Sequence, residues 1–173
     1  MQTFITGSRY QEMLEESGRW DRLRGGEARP EYPGIWSYLK WRRTEIGPGM
    51  CVMEWEPTTD HAFQAGEGWI VHGGMVTAVL DTAMGGATWT LLNTDEVFLT
   101  ADLRTEFYRP TFPGLVRAVG QVVHKTRRVT FAEAQLFDSA GKLLAGCRAT
   151  NQTINLSDPM DQRRSSPATP DRG

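Results

Sequence analysis

Between Val71 and Leu92 the chain carries its one long helix-periodic apolar pattern, VHGGMVTAVLDTAMGGATWTLL. At about 100° per residue, Val76, Val79, Leu80, Ala83, Met84, Ala87 and Leu91 fall within an arc of roughly 140°, the broad apolar face of a helix that packs on a core. Asp81 falls just beyond that arc, beside Thr77 and Thr88. His72, Gly73 and Gly74 fall at the amino end, where backbone N–H groups have no intrahelical acceptor and the helix dipole is positive. The pattern therefore puts a carboxylate and an anion-seeking backbone on one element.

Elsewhere the pattern is strand-like. Aromatic and β-favouring residues from Ile35 to Glu45 and from Met50 to Glu56, separated by Gly47-Pro48-Gly49, predict a hairpin. Pro57 to Ile70 is polar and contains glycine, and it leads into His72, so it reads as a loop walling a binding site. After the helix come four β-like runs: Val97–Tyr108, Leu115–Thr126, Val129–Asp138 and Leu143–Ile154. The turn-forming segments between them are short, and parallel neighbours need crossovers of about a dozen residues or more, so an antiparallel meander is expected. The predicted class is α+β, with one long central helix against a strongly curved antiparallel sheet.

The flanks add little to this core. Tyr10, Met13, Leu14 and Trp20 predict a short amphipathic helix within Gly7–Leu23, and Arg24–Gly34 reads as a connecting loop. The division is thus 1–34 for the N-terminal helix and loop, 35–155 for the domain, and 156–173 for a flexible tail of Ser, Pro, Asp and Arg that cannot bury enough apolar surface to order itself. A chain of 173 residues is the size of one domain. A net charge of -2 and a pI near 5.9 argue against a general attraction to nucleic acid or anionic membrane. No apolar run reaches the roughly 18 to 20 residues of a membrane span, and the amino terminus lacks a signal-like core, so a cytoplasmic protein is expected. Cys51 and Cys147 sit in strand patterns and read as buried thiols, and His61, His72 and His124 have no metal-ligand spacing.

Four segments together resemble the hotdog-fold acyl-CoA thioesterases of the phenylacetate-pathway type: V-H-G-G at 71–74, L-D-T-A-M-G-G-A at 80–87, L-T-A-D-L-R-T-E-F-Y-R-P at 99–110 and V-V-H-K-T-R-R-V-T-F-A-E-A at 122–134. The resemblance spans about Ile35 to Ile154. It implies a sheet wrapped around the helix of residues 74–92, and homodimers formed by edge-to-edge strand pairing, often paired again into homotetramers. Unpaired strand edges favour such pairing on physical grounds as well. The resemblance further implies an active site shared between protomers, an acyl-CoA substrate and no cofactor.

The chemistry follows from what thioester hydrolysis needs. Backbone N–H groups at a helix start polarise a carbonyl, and glycine lets it approach closely. Gly73 and Gly74 are the candidates; by resemblance Gly74 is the donor and His72 fixes the turn. Asp81 is the expected general base toward water, or a direct nucleophile. Thr100 matches the Ser or Thr that holds the water beside the carboxylate. Thr77 lies one helical turn before Asp81 and is a further substrate contact. The family's Asn or Gln six positions before the histidine is Gly66 here, with Gln64 two residues earlier as the candidate to take its role. Arg109, Lys125, Arg127 and Arg128, at predicted strand ends, suit the phosphates of coenzyme A. Trp69, Met84, Trp89 and Phe98 are candidates for the acyl end. A non-catalytic acyl-CoA-binding module on the same fold is the alternative reading, while the His and acidic motif of a hydratase is absent from the sequence.

Overall fold

The computed structural model describes residues 35–158. The expected amphipathic helix and loop of residues 1–34, and the tail from 159 onward, lie outside the described residues. In chain order the elements are α1 (Ile35–Leu39), β1 (Arg42–Gly47), β2 (Met50–Trp55), a single 3-10 turn (Thr59–His61), β3 (Ala62–Ala65), β4 (Gly68–Val71), α2 (Gly73–Trp89), β5 (Glu96–Phe107), β6 (Val116–Lys125), β7 (Val129–Asp138) and β8 (Leu143–Asn155).

Helix α2 is the core of the domain. Val76, Val79, Leu80, Ala83, Met84 and Ala87 are all buried, as the arc predicts, and they pack with Met53, Trp55, Ala118, Ala134, Leu136 and Ala145 from the sheet. Leu91 is buried too, but the helix ends at Trp89. Thr90 stops it: its hydroxyl donates to the Ala87 carbonyl at 2.6 Å and accepts from the Gly49 N–H at 2.8 Å, tying the β1–β2 turn to the helix end. Close contact with the sheet depends on Gly120 in β6, where a Cβ would run into the backbone of Ala83 and Met84.

Six strands form one antiparallel sheet in the order β1-β2-β6-β7-β8-β5, and β3 and β4 form a separate hairpin. The simple meander expected after the helix is corrected here. Strands β6, β7 and β8 follow one another, but β5 pairs with β8 at the far edge, and β6 pairs with β2. The link from residue 108 to 115 crosses the end of the domain instead of turning back on β5. It is held by Val71 N–H to the Thr111 carbonyl at 2.8 Å and Gly114 N–H to the Pro57 carbonyl at 3.0 Å. Link length separates antiparallel from parallel connections, but it does not choose the partner.

Two further expectations change. Ile35–Leu39 is a turn of helix and not the start of a strand; the strand begins at Arg42. Trp36 and Leu39, three apart, pack inward, and Lys40 at φ +54° closes the turn with Trp41 N–H on the Trp36 carbonyl at 3.2 Å. The supposed loop at 57–70 is mostly structured. Thr58 caps the 3-10 turn, and β3–β4 reverses through Gly66 at φ +62°, a left-handed position that favours glycine.

Strand β5 carries a bulge between Thr100 and Asp102. An extra residue in a strand shifts the facing of everything after it. Phe98 and Thr100 meet the helix before the bulge, and Leu103, Thr105 and Phe107 meet it afterwards. Both halves of β5 thus point their side chains at α2. No helix among the described residues is long and apolar enough to cross a membrane.

Candidate active site

The amino end of α2 is capped from within the H-G-G motif. His72 is extended (φ -60°, ψ 131°), and its Nδ1 accepts the Gly74 N–H at 3.0 Å. The N–H groups of Met75 and Val76 share the His72 carbonyl at 2.9 and 3.2 Å. Gly73 N–H makes no hydrogen bond among the described residues. His72 N–H itself donates to the His61 carbonyl at 2.9 Å, which fastens the β3–β4 segment to the helix start. Gly73 also faces Phe107, whose ring would lie 3.1 Å from an added Cβ. His72 is thus a capping residue, and Gly73 N–H is the donor of this motif that has no partner among the described residues.

Two turns on, Asp81 is half-buried and accepts the Thr100 hydroxyl on Oδ1 at 3.2 Å. Burial raises its pKa above the ordinary 3.8, and the Thr100 bond partly opposes the rise. A carboxylate poised this way is less well solvated, and so more basic, than a surface Asp. Thr77, one turn earlier, donates to the Thr105 hydroxyl at 3.0 Å, and Thr105 lies 3.1 Å from the Cys147 sulfur. Burial pushes the Cys147 thiol up, and the nearby Asp81 charge adds to the rise. Thr77 thereby links helix and sheet through Thr105 and Cys147, neither of which sequence spacing places beside the site.

Asp81 also lies on the wall of a cleft of about 350 Å³ formed by Trp36, Arg43, Thr82, Gly85, Gly86, Trp89 and Phe98. Two glycines inside a helix cost about 1 kcal/mol each relative to alanine, so their presence calls for a packing reason. Here Phe98 sits against Gly85 and Cys51 against Gly86, so the bare backbone forms the floor of the cleft. Of the expected acyl contacts, Trp89 and Phe98 are in this cleft. Met84 is wholly buried in the core, and Trp69 is exposed on the β4 hairpin. Trp36 and Arg43 are additions. No spacing rule points to Arg43, because it reaches the inner face by pairing with Met53 beside a bulge in β1.

The basic residues do not form a single cluster. Arg109 donates to the Leu143 carbonyl at 2.8 Å at the start of β8, while the Arg128 carbonyl accepts the Thr153 N–H near the end of that strand. Ten residues of strand separate these ends by about 33 Å. Lys125, Arg127 and Arg128 do share the β6–β7 turn, with Arg128 3.8 Å from Asp158. Gln64 is exposed on β3, and its amide donates to the Gly66 carbonyl at 3.4 Å within its own hairpin.

One long helix enfolded by a curved antiparallel sheet defines the hotdog fold. Residues 69–145, which run from the H-G-G strand to the start of β8, match the thioesterase superfamily model. Similar solved structures include a thioesterase family protein from Silicibacter pomeroyi (25% identity, TM-score 0.68, covering 80% of this chain and 99% of that one). A Haemophilus influenzae thioesterase has 20% identity and TM-score 0.67, covering 74% and 87%. The Escherichia coli PaaI protein from the phenylacetic acid degradation operon has 18% identity and TM-score 0.65, covering 84% and 96%. Comparison with curated proteins gives no match. The chain thus has the hotdog fold, and its segment 69–145 is similar to the thioesterase superfamily.

Proposed function

We propose that the protein hydrolyses an acyl-CoA thioester to a carboxylic acid and free CoA, in a site that two protomers build together. The observation that carries this reading is Asp81, half-buried, hydrogen-bonded to Thr100 and set on the wall of an aromatic cleft. Gly73 N–H, with the positive helix end behind it, receives the thioester oxygen as it becomes anionic; Gly74 N–H joins it if the His72 ring turns aside. Asp81 delivers the oxygen in one of two ways. It takes a proton from water held with Thr100 as that water adds to the carbonyl carbon and the C–S bond breaks, releasing CoA thiolate that is then protonated. Alternatively it attacks the carbon itself, expelling the thiolate and leaving an anhydride that water hydrolyses to the acid.

Gly73 and Asp81 are eight residues apart on one helix, about 12 Å along its axis, too far to serve the same carbonyl. The fold suggests how they meet. Strand β5 runs opposite to α2, with Phe107 beside Gly73 and Thr100 beside Asp81. It is also a sheet edge, and it exposes Val97, Leu99 and Phe107. Antiparallel pairing of two β5 edges about a two-fold axis brings one protomer's Gly73 toward the other's Asp81, and it covers an apolar edge that would otherwise invite aggregation. Pairing of such dimers into tetramers is compatible with this arrangement. In this reading the CoA phosphates are taken by Lys125 and Arg127, with Arg128 beside them, at the β6–β7 turn. Arg109, at the opposite end, serves the other half-site.

The test is a thiol-release assay over short, long and aromatic acyl-CoA esters, with Asp81→Asn alongside. Loss of a general base or nucleophile should reduce kcat by about 10²- to 10⁴-fold. An Asp81→Asn protein as fast as the parent excludes Asp81 from the mechanism.

A further inference from the structure

The cleft beside Asp81 is walled by three aromatic rings and a glycine floor, and Arg43 is the one cation in its lining. Arg42, Arg104, Arg117 and Arg128 are each paired with a carboxylate, and Arg109 with a backbone carbonyl. Arg43 is half-buried, and its side chain makes no hydrogen bond or ion pair among the described residues. It stands on the helix-facing side of β1, opposite Met53, and lines the same cleft as Asp81, Trp36, Trp89 and Phe98. Partial burial of an unpaired guanidinium is unfavourable, and a bound anion with two acceptor oxygens would relieve that cost by filling its fork of donors. Asp81 itself is not that anion, because no ion pair joins the two and Arg43 is not among the causes of its pKa shift.

From this placement we infer that the enzyme takes acyl groups ending in a carboxylate, with Arg43 as the residue that recognises the far end and Trp36, Trp89 and Phe98 flanking the apolar body between. The inference rests on the proposed thioesterase reading and deepens it. A thioester carbonyl attacked at Asp81 has its acyl group on one side and its sulfur on the other. The phosphates of CoA are separated from that sulfur by the whole pantetheine arm, so an anion that reaches Arg43 in the cleft containing Asp81 belongs to the acyl side. A volume of about 350 Å³ is at the lower end of the small-molecule range of roughly 300 to 1,000 Å³, which suits a compact acyl group better than a long chain.

The experiment compares benzoyl-CoA with 4-carboxybenzoyl-CoA, and butanoyl-CoA with glutaryl-CoA, by thiol release in the parent, Arg43→Met and Arg43→Lys proteins. The expected parent kcat/KM favours at least one carboxylated ester by about tenfold or more, the usual worth of a charge-assisted hydrogen bond. In Arg43→Met that ratio falls to about one, and Arg43→Lys retains part of it. Parent ratios at or below one for both pairs overturn the proposal, as does a preference that survives in Arg43→Met. The same acyl groups on N-acetylcysteamine, which has no phosphate, separate the two anion sources. If the Arg43→Met loss appears equally for both members of a pair on CoA and vanishes on N-acetylcysteamine, Arg43 serves a CoA phosphate and the proposal fails. If the parent cleaves none of these esters, the thioesterase reading itself fails. The recognition claim is then decided by NMR titration of benzamide against 4-carboxybenzamide, where equal affinity overturns it.

Discussion

The Thr100 hydroxyl donates to Asp81 Oδ1 at 3.2 Å, from the β5 residue that directly precedes the bulge. The bond favours the charged carboxylate, while burial, the larger influence, favours the neutral acid. Asp81 works as a base or nucleophile only when ionised, so activity falls as pH drops through its folded pKa, which lies above 3.8. Thr100→Val removes the opposing bond and should move the acid limb of the kcat profile to higher pH. An unmoved or lowered limb would show that the bond does not act on the ionisation that matters.

The same pKa shift has a consequence for stability. A carboxyl whose folded pKa lies above its unfolded value opposes folding once pH exceeds the folded pKa, and the penalty disappears below the unfolded pKa. Asn at position 81 never carries that charge. Asp81→Asn is therefore expected to melt at a higher temperature than the parent near pH 7, with the two curves converging as pH falls below about 4. This gain, set against lost turnover, marks a residue kept for chemistry at a cost in stability. Scanning calorimetry at several pH values checks it; a less stable Asp81→Asn protein at neutral pH contradicts it.

His72 is expected to act through backbone geometry and not through proton transfer, because its Nδ1 is occupied by the Gly74 N–H. Loss of an N-cap typically costs about 1 kcal/mol, and Asn is among the best caps. His72→Ala should lose about that much stability in urea melts, and His72→Asn should recover most of it. If capping is the whole role, His72→Asn keeps the parent pH profile of kcat. A catalytic histidine would show as a restored fold with turnover still lost.

Much of this was readable in the sequence. The α2 arc, the four later strands and the placing of His72, Gly73 and Asp81 along one helix follow from period and spacing, because local spacing on one helix fixes relative position. Thr100 beside Asp81 is legible through the family resemblance alone. What was not readable depends on contacts between distant segments. Strand neighbours, the β5 bulge that aims both Thr100 and Thr105 inward, and the placement of Arg43 opposite Met53 are set by pairing register, which no single run of residues specifies. Ile35–Leu39 misled for a related reason. Its aromatic residues favour strands in general, yet Trp36 and Leu39 pack into the core as one helical turn.

Gly120 illustrates a requirement that only the assembled structure reveals. It is an ordinary β6 residue by pattern, but an added Cβ would collide with the backbone of Ala83 and Met84, which cannot rotate away as a side chain would. Gly120→Ala must push α2 off the sheet and open the core around it. Overpacking typically costs about 1 to 3 kcal/mol, and a backbone clash belongs at or beyond the upper end. Chemical denaturation should show a loss of about 3 kcal/mol or more. A loss under about 1 kcal/mol would mean that the helix and sheet are less tightly apposed than the structure has them.

The separation of Gly73 from Asp81 leads to the most demanding prediction, because it concerns chains that are individually inactive. Gly73→Val spoils the oxyanion half through the Phe107 contact and leaves Asp81 intact, while Asp81→Asn does the reverse. If each site takes one half from each protomer, either homodimer has two defective sites. A heterodimer of the two variants has one site with both halves intact and one with neither. Random exchange at equal concentrations makes about half the dimers mixed, each with one working site of two, so about one quarter of the parent activity returns. The assay is thiol release before and after subunit exchange, with mixed dimers counted by native mass spectrometry. Recovery that tracks the heterodimer fraction supports the shared site. If mixed dimers form and activity stays at the level of the separate variants, each protomer must build its site alone, and the two-fold β5 arrangement is wrong.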